Sequence, residues 1–501
     1  MRLSAPAGLH SLGDHSAAGH AATLRRAPMG PAWRACGLSQ VTASARASLI
    51  GGGSTLAGDM EAVLLYLVGV LVVVIGLALS IGLHELGHLW PAKLFGVRVG
   101  QWMIGFGPTL FSRRSGETEY GVKAIPLGGY ISMSGMFPPL KAGGESRDAS
   151  TGFLDTLVQD ARDTSADSIH EGEEGRAFWR LATWKRIVIM LGGPLMNLVL
   201  AIGLYAVVLC GFGIAVPSTT VSTVSECVIA ATEERAECEP GDPRAPAAEA
   251  GMLPGDTIVS VDGRPATDWS DVQAAIRSRA HQPTEFLVAR DGEARTVEVT
   301  PLATERYLFD ERGEQVQVDG EPVTEVVGFL GIGPQYDIEQ QPATAVLPAV
   351  GDNVLRVGEL ILNLPQRLVD VAEAAFGTEE RDANGPMSVV GVGRMAGEIA
   401  ALDQVPVLER ISAMVQLLAS LNVALFVFNL IPLMPLDGGH ILGAIVDAVR
   451  RAWAKVRGRV ATPLDTAKWV PVTLVVTGVL GVMSALLVYA DIVKPISIFG
   501  G

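Results

Sequence analysis

Residues Leu64–Leu83 run without a single charge, and this stretch limits the possible folds more than any other feature of the chain. At about 1.5 Å of rise per residue, a helix of that length crosses about 30 Å of hydrocarbon. Three further apolar runs follow, near Ile187–Val216, Met414–Leu433 and Val470–Val488. The bulk composition agrees. Only 18% of residues are charged, against about 25% in soluble domains, and mean hydropathy is +0.34. The sequence therefore predicts a multi-pass α-helical membrane protein with about four transmembrane helices, both ends of its core on the same side.

Loop charges orient it. Arg113, Arg114, Lys123, Arg176, Arg180, Lys185 and Arg186 lie between spans one and two, and Arg450, Arg451, Lys455, Arg457 and Arg459 between spans three and four. By the positive-inside rule both loops are cytoplasmic, and the long acidic segment between spans two and three lies outside. The net charge of −15 argues against a nucleic-acid partner, which would need Lys and Arg to neutralise phosphates. Four cysteines, Cys36, Cys210, Cys227 and Cys238, contain no CxxC pair, so they do not suggest a thiolate metal site. Cys227 and Cys238 share the outer segment and could pair there.

Between the spans the pattern changes. Residues 1–59 show neither a signal-peptide core nor a clear period, and read as a disordered extension or a start assigned too early. Residues 60–135 combine the first span with a membrane-associated β region. Its short strands should be joined by turns at Gly107-Pro108, Ser115-Gly116 and Gly128-Gly129. Residues 136–183 form a cytoplasmic loop, polar and acidic over 140–175, and 184–216 the second span. Within 217–335, a helical turn at 247–253 leads into an alternating strand, 257–261. A helix at Trp269–Arg277 and strands at Glu285–Arg290 and Arg295–Thr300 follow. That order resembles a PDZ domain, an inserted peptide-binding β-sandwich placed here outside the cytoplasm. Residues 336–412 are an amphipathic linker region. Within it Val350, Val354, Val357, Leu360, Leu364, Leu368 and Val371 fall at helical spacing. The third span occupies 413–445, a cytoplasmic loop 446–469, and the fourth span 470–501.

At the end of the first span stands His84-Glu85-Leu86-Gly87-His88. Residues four apart share a helix face, so His84 and His88 can grip one zinc ion. Glu85 beside them can take a proton from an attacking water and return it to a leaving amine. Ionisable residues at a membrane span are costly and tend to be functional. A catalytic zinc site needs a third protein ligand. Asp437 qualifies, following an apolar run broken by Pro432 and Pro435. It could equally cap the next helix, with Gly438-Gly439 as its turn, and His440 is a weaker competitor.

These motifs together resemble the site-2 protease family of intramembrane zinc metalloproteases, and within it the bacterial regulator-of-sigma-E type. The resemblance rests on HELGH and on Gly193-Pro194-Leu195-Met196-Asn197. It also rests on Asn429 to Gly438 with its Leu-Asp-Gly, on Gly105-Phe106-Gly107-Pro108 and on Pro126-Leu127-Gly128-Gly129-Tyr130. It covers residue 60 to the C-terminus. It implies His84, His88 and Asp437 as ligands of one Zn2+, Glu85 as catalytic base, and Asn429 and Asn197 as substrate contacts. It also implies single-span membrane proteins as substrates, such as an anti-sigma factor already cut outside, or remnant signal peptides. The location implied is the plasma or inner membrane, with the active site toward the cytoplasm. Some relatives carry two PDZ domains in tandem, whereas one unit is legible here. A transporter would also place ionisable groups in broken helices, but it should show repeated halves, and none is seen. A catalytically dead scaffold should lack the glutamate or a ligand, and all four are present.

Overall fold

The computed structural model describes residues 56–137 and 164–496, apart from positions 166, 170–171, 231–232, 234, 236, 309–315, 319–320, 379–380, 383–384, 460–463 and 465. Residues 1–55, with Cys36, and most of the 140–175 loop lie outside the described residues, while residues 56–59, expected in the extension, already belong to the first helix.

Among the described residues, four helices are long and apolar enough to cross a membrane: Met60–Leu94, Thr183–Phe212, Val407–Asn429 and Ala467–Val493. The first belongs to helix α1 (Leu56–Leu94). Leu64, Leu67, Leu71, Ile75 and Leu79 on its flank are exposed, as lipid-facing side chains should be. Lys93 sits in the last turn, and the amide of Gly96 donates to the Lys93 carbonyl as the helix ends.

Strands β1 (Val99–Ser115) and β2 (Thr118–Met133) form a hairpin turning at Gly116. Each arm bends, so Gln101–Ile104 lies between Gly129–Ser132 on one side and Glu119–Val122 on the other. The expected short strands are thus segments of two long, folded ones. Leu89 and Ala92 of α1, Val99 and Met133 of the hairpin, and Ile189 and Met190 of the next helix bury together and hold this sheet against the bundle.

Helix α2 (Thr183–Ala206) continues as a π-helical turn, Val207–Phe212. Gly213, at φ +85°, then redirects the chain into strand β3 (Ile214–Val224). The second span accordingly ends before the expected Val216, because Gly213 takes a backbone conformation that closes the helix. The segment between the second and third spans contains α3 (Pro246–Glu249), β4 (Thr257–Val261), α4 (Trp269–Arg277), β5 (Thr284–Arg290), β6 (Glu293–Val299), β7 (Leu302–Tyr307), β8 (Thr324–Phe329) and β9 (Ile332–Glu339). The main sheet runs β9-β3-β4-β5-β6, while β7 pairs with β8. Its core includes Val221, Met252, Ile258, Val272, Phe286, Val288 and Leu330. Cys227 and Cys238 are disulfide-bonded.

A buried ion pair ties this region together. Arg290 donates through Nε and Nη2 to the two carboxylate oxygens of Asp256, at 2.6 and 2.7 Å, and the Leu253 amide donates to the same group. The Arg290 bonds hold the Asp256 carboxyl below the usual carboxylate range. A lowered folded pKa stabilises the fold fully above the unfolded value of about 3.9, and that contribution fades as pH falls through the folded value. Asp256→Asn should therefore destabilise this segment at neutral pH and progressively less below pH about 4. Pulse proteolysis of this segment in the intact chain measures this. A penalty unchanged between neutral and acid pH would contradict it.

The amphipathic stripe of 343–377 is broken in two, α5 (Val346–Leu362) and α6 (Leu364–Phe376), with Pro365 opening the second helix. Val346 and Val350 pack on Ala201, Tyr205 and Ala419, whereas Val371 and Ala375 pack on Leu487 and Ala490 of the last helix. One sequence stripe thus serves two partners. Helix α7 (Val389–Ala401), unforeseen within the linker, is capped by Ser388 and lies on α1. A methyl on Gly69 would stand 2.4 Å from the Ala396 carbonyl. The third span is α8 (Val407–Asn429), and α9 (Asp437–Val456) is a separate helix. The expected single element over 413–445 is interrupted because Pro432 and Pro435 cannot continue a helix. Helix α10 (Val470–Val493) completes the set, packing on α6 and α7.

Candidate metal centre

His84 and His88 sit one turn apart on α1, and Asp437 is the first residue of α9. The structure brings all three together. Nε2 of His84 and Nε2 of His88 are 3.2 Å apart, and Oδ2 of Asp437 lies 3.2 and 3.3 Å from them. Tetrahedral bonds of about 2.0 Å imply ligand–ligand edges of about 3.3 Å, which this triangle matches. The Asp437 Oδ2 atom is buried and has no hydrogen-bond partner among the described residues. Three electron-rich atoms this close repel one another unless a cation sits between them, so the donor set fits zinc. His440 does not belong to the cluster.

The supporting contacts explain how the sequence holds this shape. Nδ1 of His88 lies 2.7 Å from the carbonyl oxygen of Ile189. A carbonyl only accepts, so Nδ1 carries the proton and Nε2 presents its lone pair to the centre. The imidazoles lie hard against α2. A methyl on Gly193 would stand 2.2 Å from Nε2 of His88 and 2.8 Å from Cε1 of His84. At the adjacent positions, methyls on Gly87 or Gly192 would collide with the facing backbone at 2.3 and 2.1 Å. Only small residues permit this helix crossing. On the Asp437 side, Arg186 of α2 donates to the buried Asp447 of α9 at 2.6 Å, anchoring α9 beside α2. Gly438 lets the α9 start fold back onto the Leu430 and Ile431 carbonyls. These devices escaped sequence reasoning, although paired glycines in an apolar helix were a usable signal.

Glu85 is buried beside the cluster and interacts electrostatically with His84, His88 and Asp437. Strand β2 runs directly over it, with a Gly129 methyl position 3.0 Å from the Glu85 Cγ. Asn429 ends α8, and its amide donates to the Leu425 carbonyl at 2.9 Å. Asn197 is fully buried, with neither amide atom partnered among the described residues. A further buried amide, Asn422, which the sequence reading passed over, donates to Ser80 one turn before His84.

Residues 72–462 match the family model described as peptidase family M50. Over 447 residues the chain is 33% identical to "Zinc metalloprotease Rip1" of Mycobacterium tuberculosis, spanning 87% of this chain and 100% of that protein. A protein of the same name from Mycolicibacterium smegmatis is 33% identical over 453 residues, covering 86% of this chain and 99% of its own length. "Metalloprotease MmpA" of Caulobacter vibrioides is 30% identical over 388 residues, covering 75% and 85% respectively. With the four apolar helices and the His-His-Asp cluster, these likenesses show that the chain belongs to peptidase family M50, the site-2 proteases, and is a membrane zinc metalloprotease.

Proposed function

We propose that this chain is an endopeptidase that cuts transmembrane segments of other membrane proteins within the bilayer. The observation that carries the reading is the zinc-ready triad at the end of a lipid-facing helix, with a buried glutamate beside it. His84, His88 and Asp437 are the ligands and Glu85 the base. Bound zinc supplies the Lewis acidity that makes a water acidic enough to be deprotonated near neutral pH. Glu85 accepts that proton and passes it to the leaving amide nitrogen.

A substrate helix hides its carbonyls in its own hydrogen bonds and must unwind before attack. The β1–β2 sheet beside Glu85 supports pairing with an unwound segment. Asn429 would contact the substrate backbone. Asn197 can join it only if the helices part. The loop charges and the Cys227–Cys238 disulfide favour a cytoplasmic active site and an outer segment facing an oxidising space, in the plasma or inner membrane. The strand-helix order of Ile214–Glu339 supports a PDZ reading, with the domain docking or size-filtering single-span substrates. An anti-sigma factor trimmed outside and remnant signal peptides both suit that geometry.

A tagged single-span substrate incubated with purified protein in detergent, with products read by mass spectrometry, tests this. The expected cut lies inside the apolar span. A cut confined to flanking soluble sequence would refute it.

A further inference from the structure

A groove of about 600 Å³ opens in the outer segment between α4 and the β8–β9 turn. Its walls are largely apolar, with Trp269, Ile276, Phe329 and Leu330 among them. Two cations also line it. Arg277 is paired with Glu325. Arg306 is not so matched: its guanidinium lies 4.0 Å from the centre of the Phe329 ring, and its buried Nε has no hydrogen-bond partner among the described residues. Burial, with Arg277 nearby, pushes its pKa below the ordinary arginine value. The neighbouring Glu305 is exposed, and strand alternation sends it to the opposite face. Glu325 stands opposite Arg306 in the β7–β8 ladder but is taken by Arg277, so among the described residues the groove retains one cation more than the carboxylate facing it.

Strand β9 is the outermost strand of the main sheet and borders the groove. A segment laid along it would be extended, with alternate side chains pointing inward. We propose that the groove binds an extended peptide carrying an acidic side chain, and that Arg306 selects that side chain. A carboxylate would give the buried Nε a partner and neutralise a half-buried cation, which makes such a bond stronger than on an open surface. The inference rests on the reading of this domain as a peptide-docking module.

The test exposes the full-length protein in detergent micelles to a randomised decapeptide library with amidated ends, and sequences what is retained. Wild type should enrich Asp or Glu at one position by about tenfold over Asn or Gln, the equivalent of one charge-assisted hydrogen bond. Arg306→Gln should lose that preference while still retaining peptides, and Arg306→Lys should keep part of it. Neutral peptides enriched by wild type, or acidic ones enriched equally by Arg306→Gln, would overturn the inference and leave docking intact. A matching library with free C-termini that is preferred whether or not an acidic side chain is present would assign the carboxylate to the chain end and also overturn it. Retention no greater than on empty micelles would defeat the docking reading itself.

Discussion

Glu85→Gln should lower cleavage of a transmembrane substrate by about 10²–10⁴-fold and leave zinc bound. The amide keeps the size of the carboxylate, so the contacts with Gly129 and the packing around His84 and His88 stay as they are. It cannot accept the proton. Glu85 is not one of the three converging atoms, so the metal should remain at one per chain. Initial rates and zinc content measured on the same preparation separate these two effects. Equal loss of metal and activity would mean that Glu85 shapes the cage rather than serving as base. Undiminished cutting would remove it from the mechanism.

Gly193→Val should abolish activity by another route. Even the first added carbon would stand 2.2 Å from Nε2 of His88, the atom that would face the metal in the proposed site. The imidazole has to rotate or α1 has to retreat from α2, and either motion breaks the bond to the Ile189 carbonyl. Loss of such an orienting contact alone costs about 10–100-fold in metal affinity, and here the ligand itself is displaced. Gly203→Val, in the same helix but with nothing within 4 Å of the added carbon, is the control and should bind zinc normally. Competition against a zinc-sensitive dye reads both variants without any substrate. Wild-type affinity in Gly193→Val would show that the helices part easily and that the close crossing does not hold the cage.

The chemistry of this protein was more legible than its architecture. Helical spacing alone puts His84 and His88 on one face. The prolines at 432 and 435 mark a break in an apolar run, and a carboxylate just beyond that break is costly without a partner. What assembled the site was not legible. The approach of Gly87 to Gly192 depends on two helices meeting at one height, and no local pattern fixes that height. The Arg186–Asp447 pair joins residues far apart in sequence. The hairpin signals at Gly107-Pro108, Ser115-Gly116 and Gly128-Gly129 were visible. That Gln101–Ile104 would be flanked on both sides depends on register, which a Gly- and Pro-rich stretch leaves weakly determined. The amphipathic period over 343–377 runs on through Asn363 and Pro365, so it does not reveal that the helix divides there. The motif around Asn197 does not show that its side chain is fully buried, because burial depends on how the helices pack.

The central claim is that two imidazoles from α1 and one carboxylate from α9 hold the catalytic zinc. Zinc K-edge X-ray absorption on the purified, loaded protein tests this most directly. The expected spectrum shows one zinc per chain in a four-coordinate shell of nitrogen and oxygen only, with outer-shell scattering from two imidazole rings, and Asp437→Ala should lose the metal. Sulfur scattering at about 2.3 Å, or an unchanged shell in Asp437→Ala, would contradict the assignment.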